Sequence, residues 1–319
     1  MIVQRLRRWL AHRGPRGAGP LALRRRWLYI LPSRGGAYFS LLLLVLLLTA
    51  INYNNNLAFA LVFLLAAVGL VAMHHCHDNL LHLQVRSLPT NSVFAGETLH
   101  FPVELTNPAA SQRFSVRIDY RGMAAPPPVV DIPAHGVAVV YLPLPARHRG
   151  PAQLPQLRVY SDYPMNLFRA WSWLGLQAEA VVYPRPAGKR PLPPPPSGQT
   201  DSRGKAPSTG EDFAGLRRYA PGDPLRLVHW KAYARSGALL VKQFAGPRAN
   251  ELWLDWATLA GLAQETRLSQ LARWVLDAER AGCSYGLRLP DQACQPAAGG
   301  RHYRRCLRAL ALFRDNDDD

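Results

Sequence analysis

AYFSLLLLVLLLTAINYNNNLAFALVFLLAAVGLVAM, residues 37–73, contains no charged side chain. Two apolar runs, Ala37–Ile51 and Leu57–Met73, flank the short polar linker Asn52–Asn56. A membrane-spanning helix needs roughly 17–25 residues, and the two glycines before the first run bring it within that range. The linker is too short to do more than turn the chain. The stretch therefore predicts a transmembrane helical hairpin over residues 35–73.

Positive charge is concentrated before this hairpin. The chain has 319 residues and a formal net charge of +17, and the first acidic residue is Asp78. Residues 1–34 contain nine arginines: Arg5, Arg7, Arg8, Arg13, Arg16, Arg24, Arg25, Arg26 and Arg34. Positive residues stay on the cytoplasmic side, so we expect a basic cytoplasmic tail over residues 1–34, an outer turn, and cytoplasmic N- and C-termini. The composition also resembles an organelle transit peptide, but the immediate spans favour membrane topology.

Nucleic-acid binding is disfavoured, because the excess charge precedes an apolar segment and the tail lacks aromatic stacking platforms. The segment HHCHDNLLH after the second run contains imidazole and thiol groups that could bind zinc or copper. An interfacial cap explains it better, since metal ligands must converge from a fixed scaffold. The four cysteines lack Cys-x-x-Cys spacing and are interpreted as unpaired thiols. No metal or cofactor is predicted.

Residues 80–184 have the pattern of a β-rich domain. Seven short runs of branched or alternating apolar residues are separated by Gly, Pro, Asn and Asp, which predicts a β-sandwich-like domain or an open barrel. The segment SDYPMNLFRAW (161–171) is rich in aromatic residues, and we attribute this to packing against a neighbouring domain. Residues 185–209 contain four consecutive prolines and are predicted to be a Pro/Gly/Ser-rich linker.

Residues 210–244, GEDFAGLRRYAPGDPLRLVHWKAYARSGALLVKQF, are the densest in charged and aromatic side chains. Asp223 followed by Pro224 predicts the start of a helix through residues 225–235 that ends at Gly237, followed by a strand. FAGLRRY spaces its apolar residues at three-residue intervals, as one stripe. Candidate partner- or anion-binding residues are Arg217, Tyr219, Asp223, Arg226, His229, Trp230, Arg235 and Lys242.

Two interpretations of this segment stay open. Its arginines suit a phosphate or carboxylate near a helix N-terminus. Alternatively, Asp223, Arg226 and Arg235 form internal salt bridges, while Trp230 and Tyr233 act as packing anchors. Catalysis is disfavoured, since the segment lacks a nucleophile in a suitable context.

Residues 248–314 predict a small α/β unit. NELWLDWA indicates a buried strand ending at Asp255, and ETRLSQLARWVLDAERAG an amphipathic helix closed by Gly282. Its predicted apolar face consists of Leu268, Leu271, Val275 and Leu276. A second strand, CSYGLRLP, and a second helix, RHYRRCLRALALF, imply a parallel sheet layered with helices. Residues 315–319 form an acidic tail.

The pattern GxxFxGLRxYxPGDxxRxxxWxAxARxxxLxVKxF matches residues 210–244 without a gap. With the hairpin and the β domain, it resembles the bacterial domain-of-unknown-function family 58. The resemblance implies a C-terminal region similar to a von Willebrand factor A domain and an inner-membrane location. It also implies a genomic setting with MoxR-type AAA+ ATPases and transglutaminase-like membrane proteins.

The metal site that the resemblance implies is degenerate in this chain. Von Willebrand A domains hold Mg²⁺ through Asp-x-Ser-x-Ser. Here Asp255 occupies the first position, but Ala257 and Leu259 replace both hydroxyls, so we predict no metal. The unit is also truncated.

The predicted fold class is thus a membrane-anchored α+β protein: a two-helix transmembrane hairpin, a β-sandwich-like domain and a truncated α/β unit. The predicted function is a membrane-tethered scaffold or adaptor that presents cytoplasmic domains to a MoxR-type ATPase, in the assembly or maturation of envelope or other complexes. Its other expected partners are the bilayer and a transglutaminase-like membrane protein. The absence of a catalytic set favours a non-enzymatic role. The alternative is an anion- or phosphate-dependent enzyme or regulator that uses the arginine and histidine cluster.

Overall fold

The computed structural model describes residues 14–194, 213–219, 228–237, 239–244 and 252–314. It is an α+β structure with two apolar helices near the N-terminus and several sheets. The chain divides into two compact units, Met1–Tyr183 and Pro184–Asp319. The predicted acidic tail and most of the proline-rich segment lie outside the described residues.

The first unit contains thirteen strands in its described part. They are β1 (Arg16–Gly17), β2 (Leu21–Ala22), β3 (Tyr29–Pro32), β4 (Gln84–Ser87), β5 (Val93–Phe94), β6 (Thr98–Thr106), β7 (Arg113–Tyr120), β8 (Val129–Ile132), β9 (Val137–Pro145), β10 (Gly150–Gln153), β11 (Leu157–Ser161), β12 (Phe168–Leu176) and β13 (Glu179–Tyr183). One sheet has the order β1-β12-β11-β7-β8, with β3 also paired to β12. A second has the order β2-β4-β6-β9, and a small third sheet the order β10-β13-β5.

Each of the seven apolar runs predicted as strands contains a strand, so the β prediction for residues 80–184 is confirmed. Burial alternates along β6 and β12, the signature of strands with one face on a core. Side chains from both large sheets, including Phe101 of β6 and Ile118 of β7, belong to one continuous buried cluster. Two sheets that share a core in this way form a sandwich.

Two helices connect β3 to β4. Helix α1 spans Arg34–Asn52 and helix α2 spans Asn56–Asp78. At 1.5 Å per residue they are roughly 28 and 34 Å long, comparable with a hydrocarbon core of about 30 Å. The side chain of Asn55 accepts hydrogen bonds from the amides of the next helix's first turn, which ends the connection and starts α2. The two predicted apolar helices are confirmed, and α2 continues five residues beyond Met73.

The segment before the hairpin is not a free tail over its described part. β1 pairs in parallel with β12 and β3 pairs antiparallel with β12, while β2 pairs with β4. Leu23 is fully buried in the sandwich core. The assignment of residues 1–34 to a basic tail is therefore corrected: residues 16–32 belong to the β domain, because their backbone groups complete its sheet edges.

The described part of the second unit contains two sheets. Its elements are β14 (Phe213–Arg218), α3 (Trp230–Ser236), β15 (Leu240–Phe244), β16 (Leu252–Asp255), α4 (Gln264–Arg280), β17 (Tyr285–Arg288), β18 (Ala293–Ala297) and α5 (Gly300–Leu312). β14 pairs antiparallel with β15. β16 and β17 are parallel, as predicted, but β18 is an additional strand that pairs antiparallel with β17. The ACQPA sequence of β18 gave no strand signal, because it contains a proline and lacks branched residues.

Helix α4 follows the predicted amphipathic pattern. Leu268, Leu271 and Val275 are fully buried, and Leu276 is half-buried. Gly282 follows the helix with a φ of +67°, a conformation that glycine adopts without strain. The helix also buries Gln270, which periodicity of apolar residues could not indicate.

Gln270 binds the beginning of the predicted linker. Its amide oxygen accepts from the Arg190 amide at 3.1 Å, and its amide nitrogen donates to the Arg190 carbonyl at 3.0 Å. The Trp274 indole donates to the same carbonyl at 3.0 Å, and the Ala187 amide donates to the Ser269 carbonyl. Residues 187–190 are thus held along α4, and the linker assignment for 185–209 is corrected at its start.

Candidate partner-binding surface

The signature segment forms a small β hairpin with a helix inserted before its second strand. Arg217 pairs with Val241 and Leu216 with Lys242, and the ladder continues as the Tyr219 amide donates to the Leu239 carbonyl at 2.9 Å. The predicted strand at the end of the segment is confirmed by β15. The apolar stripe at three-residue intervals is wrong, since residues 213–218 form a strand and side chains alternate with a period of two.

Helix α3 begins later than predicted. Val228 forms an isolated bridge with Val241, and the His229 amide donates to the Leu240 carbonyl at 2.8 Å. Both valines are almost fully buried. The expected helix over residues 225–235 is therefore wrong at Val228, which is β-branched and pairs as a strand. The predicted stop at Gly237 is confirmed, with a φ of +67°.

The aromatic residues of α3 face outward. Trp230 is 57% exposed and Tyr233, one turn later, is 43% exposed. Their ring centroids lie 6.3 Å apart at an interplanar angle of 89°, an edge-to-face pair. Lys231 is exposed beside them. The prediction that these two aromatic side chains are packing anchors is wrong, because a helix of seven residues on a two-stranded hairpin buries too little surface to cover both.

The other predicted site residues are placed to different extents. Tyr219 and His229 are half-buried next to the β15 ladder. His229 also makes a hydrogen-bonding, ring or electrostatic interaction. The backbones of Arg217, Arg235 and Lys242 lie on β14, α3 and β15, while their side chains lie outside the described atoms. Asp223 and Arg226 lie outside the described residues. The anion site and the internal salt bridges therefore stay predictions, and the aromatic pair is the described part of the surface.

Asp255 lies at the carboxyl end of β16. One carboxylate oxygen accepts from the Ala257 amide at 2.9 Å, which caps a short 3₁₀ turn at Trp256–Leu259. The other oxygen lies 3.3 Å from the Arg288 guanidinium. Leu259 is fully buried. This carboxylate thus has a structural role, joining the end of β16 to β17.

The histidine-rich end of α2 does not converge on a point. Cys76 is fully buried, and its thiol lies 3.5–3.6 Å from the Phe168 and Ser161 carbonyls. His74 instead contacts the Asp78 carboxylate at 3.1 Å. Among the residues that the structure describes, no group of three or more His, Cys, Asp or Glu side chains could hold a metal ion.

The β domain holds the start of α1 and the end of α2. Sequence patterns did not indicate this junction. The Asn79 side chain, buried after α2, donates to the Phe114 carbonyl at 2.7 Å and accepts from the Phe114 amide at 2.9 Å. At the start of α1, the Ser33 amide donates to the Leu167 carbonyl at 2.9 Å. The aromatic-rich segment after β11 therefore packs against the hairpin.

Comparison of the sequence with protein-family profiles and with curated proteins gives no match. Among solved structures, the chain is similar to a β-glucosidase from Listeria innocua in complex with gluconolactone. The similarity covers 30% of this chain and 16% of that protein, at 14% sequence identity and a TM-score of 0.17. At this score it carries no conclusion about fold or activity.

Proposed function

We propose that this chain is a membrane-tethered scaffold that presents its second unit to a partner protein at the bacterial inner membrane. The apolar stretches of α1 and α2 are only 11% and 17% buried. A core helix of a soluble protein would be mostly buried, so these exposed apolar surfaces favour the bilayer as their solvent.

Charge supports a cytoplasmic location of the β domain. Arg24, Arg25, Arg26 and Arg34 are all exposed, and they belong to the unit that holds the ends of both helices. Since arginines close to a span remain on the cytoplasmic side, the β domain and the basic residues are cytoplasmic together.

One observation carries the scaffold proposal: the exposed pair of Trp230 and Tyr233 on the signature segment. Tryptophan and tyrosine are enriched among the residues that dominate binding energy at interfaces. A partner would recover the free energy of burying both rings.

The resemblance to the domain-of-unknown-function family 58 identifies the partner we propose, a MoxR-type AAA+ ATPase. A transglutaminase-like membrane protein is a second candidate from the same setting. We also propose that β16, α4 and β17 are the remnant of a von Willebrand A-like unit. Their strand–helix–strand order and parallel pairing, with Asp255 at the strand end, support this.

The proposal is tested by affinity capture of the tagged full-length protein from mild detergent in the presence of ATP. We expect wild type to enrich a MoxR-type ATPase, identified by mass spectrometry. Loss of about 2 kcal/mol at a hot spot corresponds to roughly 30-fold weaker binding, so Trp230→Ala and Tyr233→Ala should both lose the ATPase.

The matched control is Tyr141→Ala, which removes a 63% exposed aromatic side chain from β9 in the other unit. It should capture the ATPase as wild type does. Equal capture by all four proteins would remove the aromatic pair from the interface. No ATPase with wild type would reject this partner.

A further inference from the structure

The loop between β11 and β12, residues Asp162–Leu167, lies at the level of the first turn of α1. The Ser33 hydroxyl donates to the Asn166 carbonyl, and the Ser33 amide donates to the Leu167 carbonyl at 2.9 Å. Gly36 is buried against the same carbonyl. The apolar run of α1 begins at Ala37, four residues and about 6 Å after Ser33. An interfacial layer is roughly 5–7 Å thick on each side, so the loop lies within it if α1 spans the bilayer.

The base of the loop is held by charge. The Asp162 carboxylate is largely buried and accepts from the guanidinium groups of both Arg117 and Arg169, one of these bonds being 3.0 Å long. The Asn166 amide donates to the Asp162 carbonyl at 3.0 Å, which closes the turn. The loop is therefore a defined projection.

The tip of this projection is apolar and exposed. Met165 is 69% exposed, and its φ of +60° lies in the left-handed region that is uncommon for such a side chain. Tyr163 is 38% exposed, and its ring stacks on Phe114 with centroids 4.8 Å apart. An exposed methionine in a defined conformation thus lies next to the exposed apolar surface at the start of α1.

We propose that the Asp162–Leu167 loop is a membrane-contact surface, with Met165 inserted at the boundary between headgroups and acyl chains. Tyr163 supplies an amphipathic ring of the kind enriched at that level. Exposed Arg34, at the start of α1, supplies positive charge for anionic headgroups. The occupant is the bilayer because the loop continues the exposed apolar surface of the hairpin. This inference rests on the proposed membrane tether and is independent of the ATPase partner.

The consequence is a fixed orientation of the β domain. With the loop in the interface and the ends of both helices held by the β domain, we expect the opposite end of β7 to lie farther from the membrane than the loop. Tyr120 pairs with Leu157, which pairs with Leu174, six residues along β12 from Phe168. At about 3.4 Å per residue this is roughly 20 Å. Arg121, which follows Tyr120 and is exposed, therefore marks the far end.

The test uses the full-length protein in lipid nanodiscs. Met165→Cys, Arg121→Cys and Leu44→Cys are made in a Cys283→Ser background, because the other three cysteines are buried. Each is labelled with an environment-sensitive NBD probe, and lipids that carry a doxyl group are then introduced, at a shallow position in one set and at a deep position in another. A probe buried 5–10 Å into the boundary should lose at least about half its fluorescence. We expect this loss at residue 165 with the shallow doxyl lipid, at residue 44 with the deep doxyl lipid, and at residue 121 with neither.

Quenching at residue 44 without quenching at residue 165 would overturn the loop proposal and leave the tether intact. No quenching at residue 44 would overturn the tether and the loop proposal together. Equal quenching at residues 165 and 121 would also overturn the proposal, since it indicates non-specific adsorption. Photolabelling of the unsubstituted protein with diazirine lipids, followed by peptide mapping, should label the peptide with Met165 and spare Arg121. The opposite pattern would reject the proposal even if a cysteine variant failed to fold.

Discussion

Replacing Gly36 by alanine should detach the start of α1 from the β domain. A Cβ atom at Gly36 would lie 1.9 Å from the Leu167 carbonyl oxygen and 3.0 Å from its carbon. Real Cβ atoms essentially never approach another heavy atom closer than 3.0 Å. The helix or the loop must therefore move by about 1 Å, and both are backbone, which yields less readily than a flexible side chain.

The magnitude follows from what that movement breaks. The hydrogen bond from the Ser33 amide to the same Leu167 carbonyl is 2.9 Å long, and a shift of about 1 Å takes it beyond bonding range. Its loss costs about 1 kcal/mol, and overpacking adds roughly 1–3 kcal/mol. The total of about 2–4 kcal/mol corresponds to a fall in Tm of roughly 5–15 °C for a unit of this size.

The assay is a thermal melt of the full-length protein in nanodiscs, followed by circular dichroism at one fixed scan rate. Gly35→Ala is the matched control, since its Cβ would meet its nearest atom, the Asn166 carbonyl oxygen, at 3.4 Å, an ordinary contact. Alanine also favours helix over glycine by up to about 1 kcal/mol, so the control should melt at or slightly above the wild-type temperature. Equal Tm values for the two variants would refute the close approach at Gly36.

Three further outcomes are expected from buried groups. Burial raises the pKa of Asp162, but hydrogen bonds to Arg169 and to a second arginine outweigh this effect and hold the pKa below its ordinary 3.8. The ion pairs of Asp162 therefore stabilise the fold at neutral pH, and this contribution is lost in acid. Asp162→Asn should therefore lower stability by roughly 1–3 kcal/mol at pH 7, a difference that shrinks as the pH falls through the folded-state pKa. Gln270→Ala should cost about 2–4 kcal/mol, because it breaks both bonds to the Arg190 backbone and leaves a cavity. A thiol reagent should label Cys283 fastest in the native protein, since the other cysteines are buried.

Each of these outcomes has a matched comparison. Arg273→Ala removes an exposed pair with Asp277 on the same helix as Gln270 and should change the free energy of unfolding by less than about 0.5 kcal/mol. Burial also raises the pKa of the Cys306 thiol, so Cys283→Ser should abolish the fast labelling phase. A fast phase that persists would contradict the burial of at least one of the other three cysteines. A pH-independent difference between wild type and Asp162→Asn would contradict the ion-pair assignment.

Local sequence was sufficient where an element carries its own periodic signal. The hairpin follows from two uncharged apolar runs around a polar turn, and α2 starts at the Asn55 cap within that turn. Along most of the long strands β6, β7 and β12, buried positions alternate with partly or fully exposed ones. Helix α4 shows its apolar face and its terminal Gly282 in the sequence.

The candidate surface was predictable only in outline. Charge and aromatic density identified the segment, and Gly237 identified the end of its helix. The exposure of Trp230 and Tyr233 could not be inferred, because an aromatic residue at helical spacing is compatible with burial or exposure. Val228 was assigned to the helix, since its partner Val241 is thirteen residues away and only the folded hairpin joins them.

The sequence by itself determined the two apolar helices, the β-rich class of the first unit and the amphipathic helix of the second. These depend on hydrophobicity and periodicity, which neighbouring residues encode. Only the tertiary structure decided that Arg16 pairs beside Gly175, that residues 187–190 bind Gln270, and that the loop with Met165 lies at the start of α1. Strands of two to four residues are too short to show a periodic pattern of apolar residues. Backbone hydrogen bonds form with almost any side chain, so the sequence does not predict which strands pair. Such pairings become favourable only when distant parts of the chain are already in place.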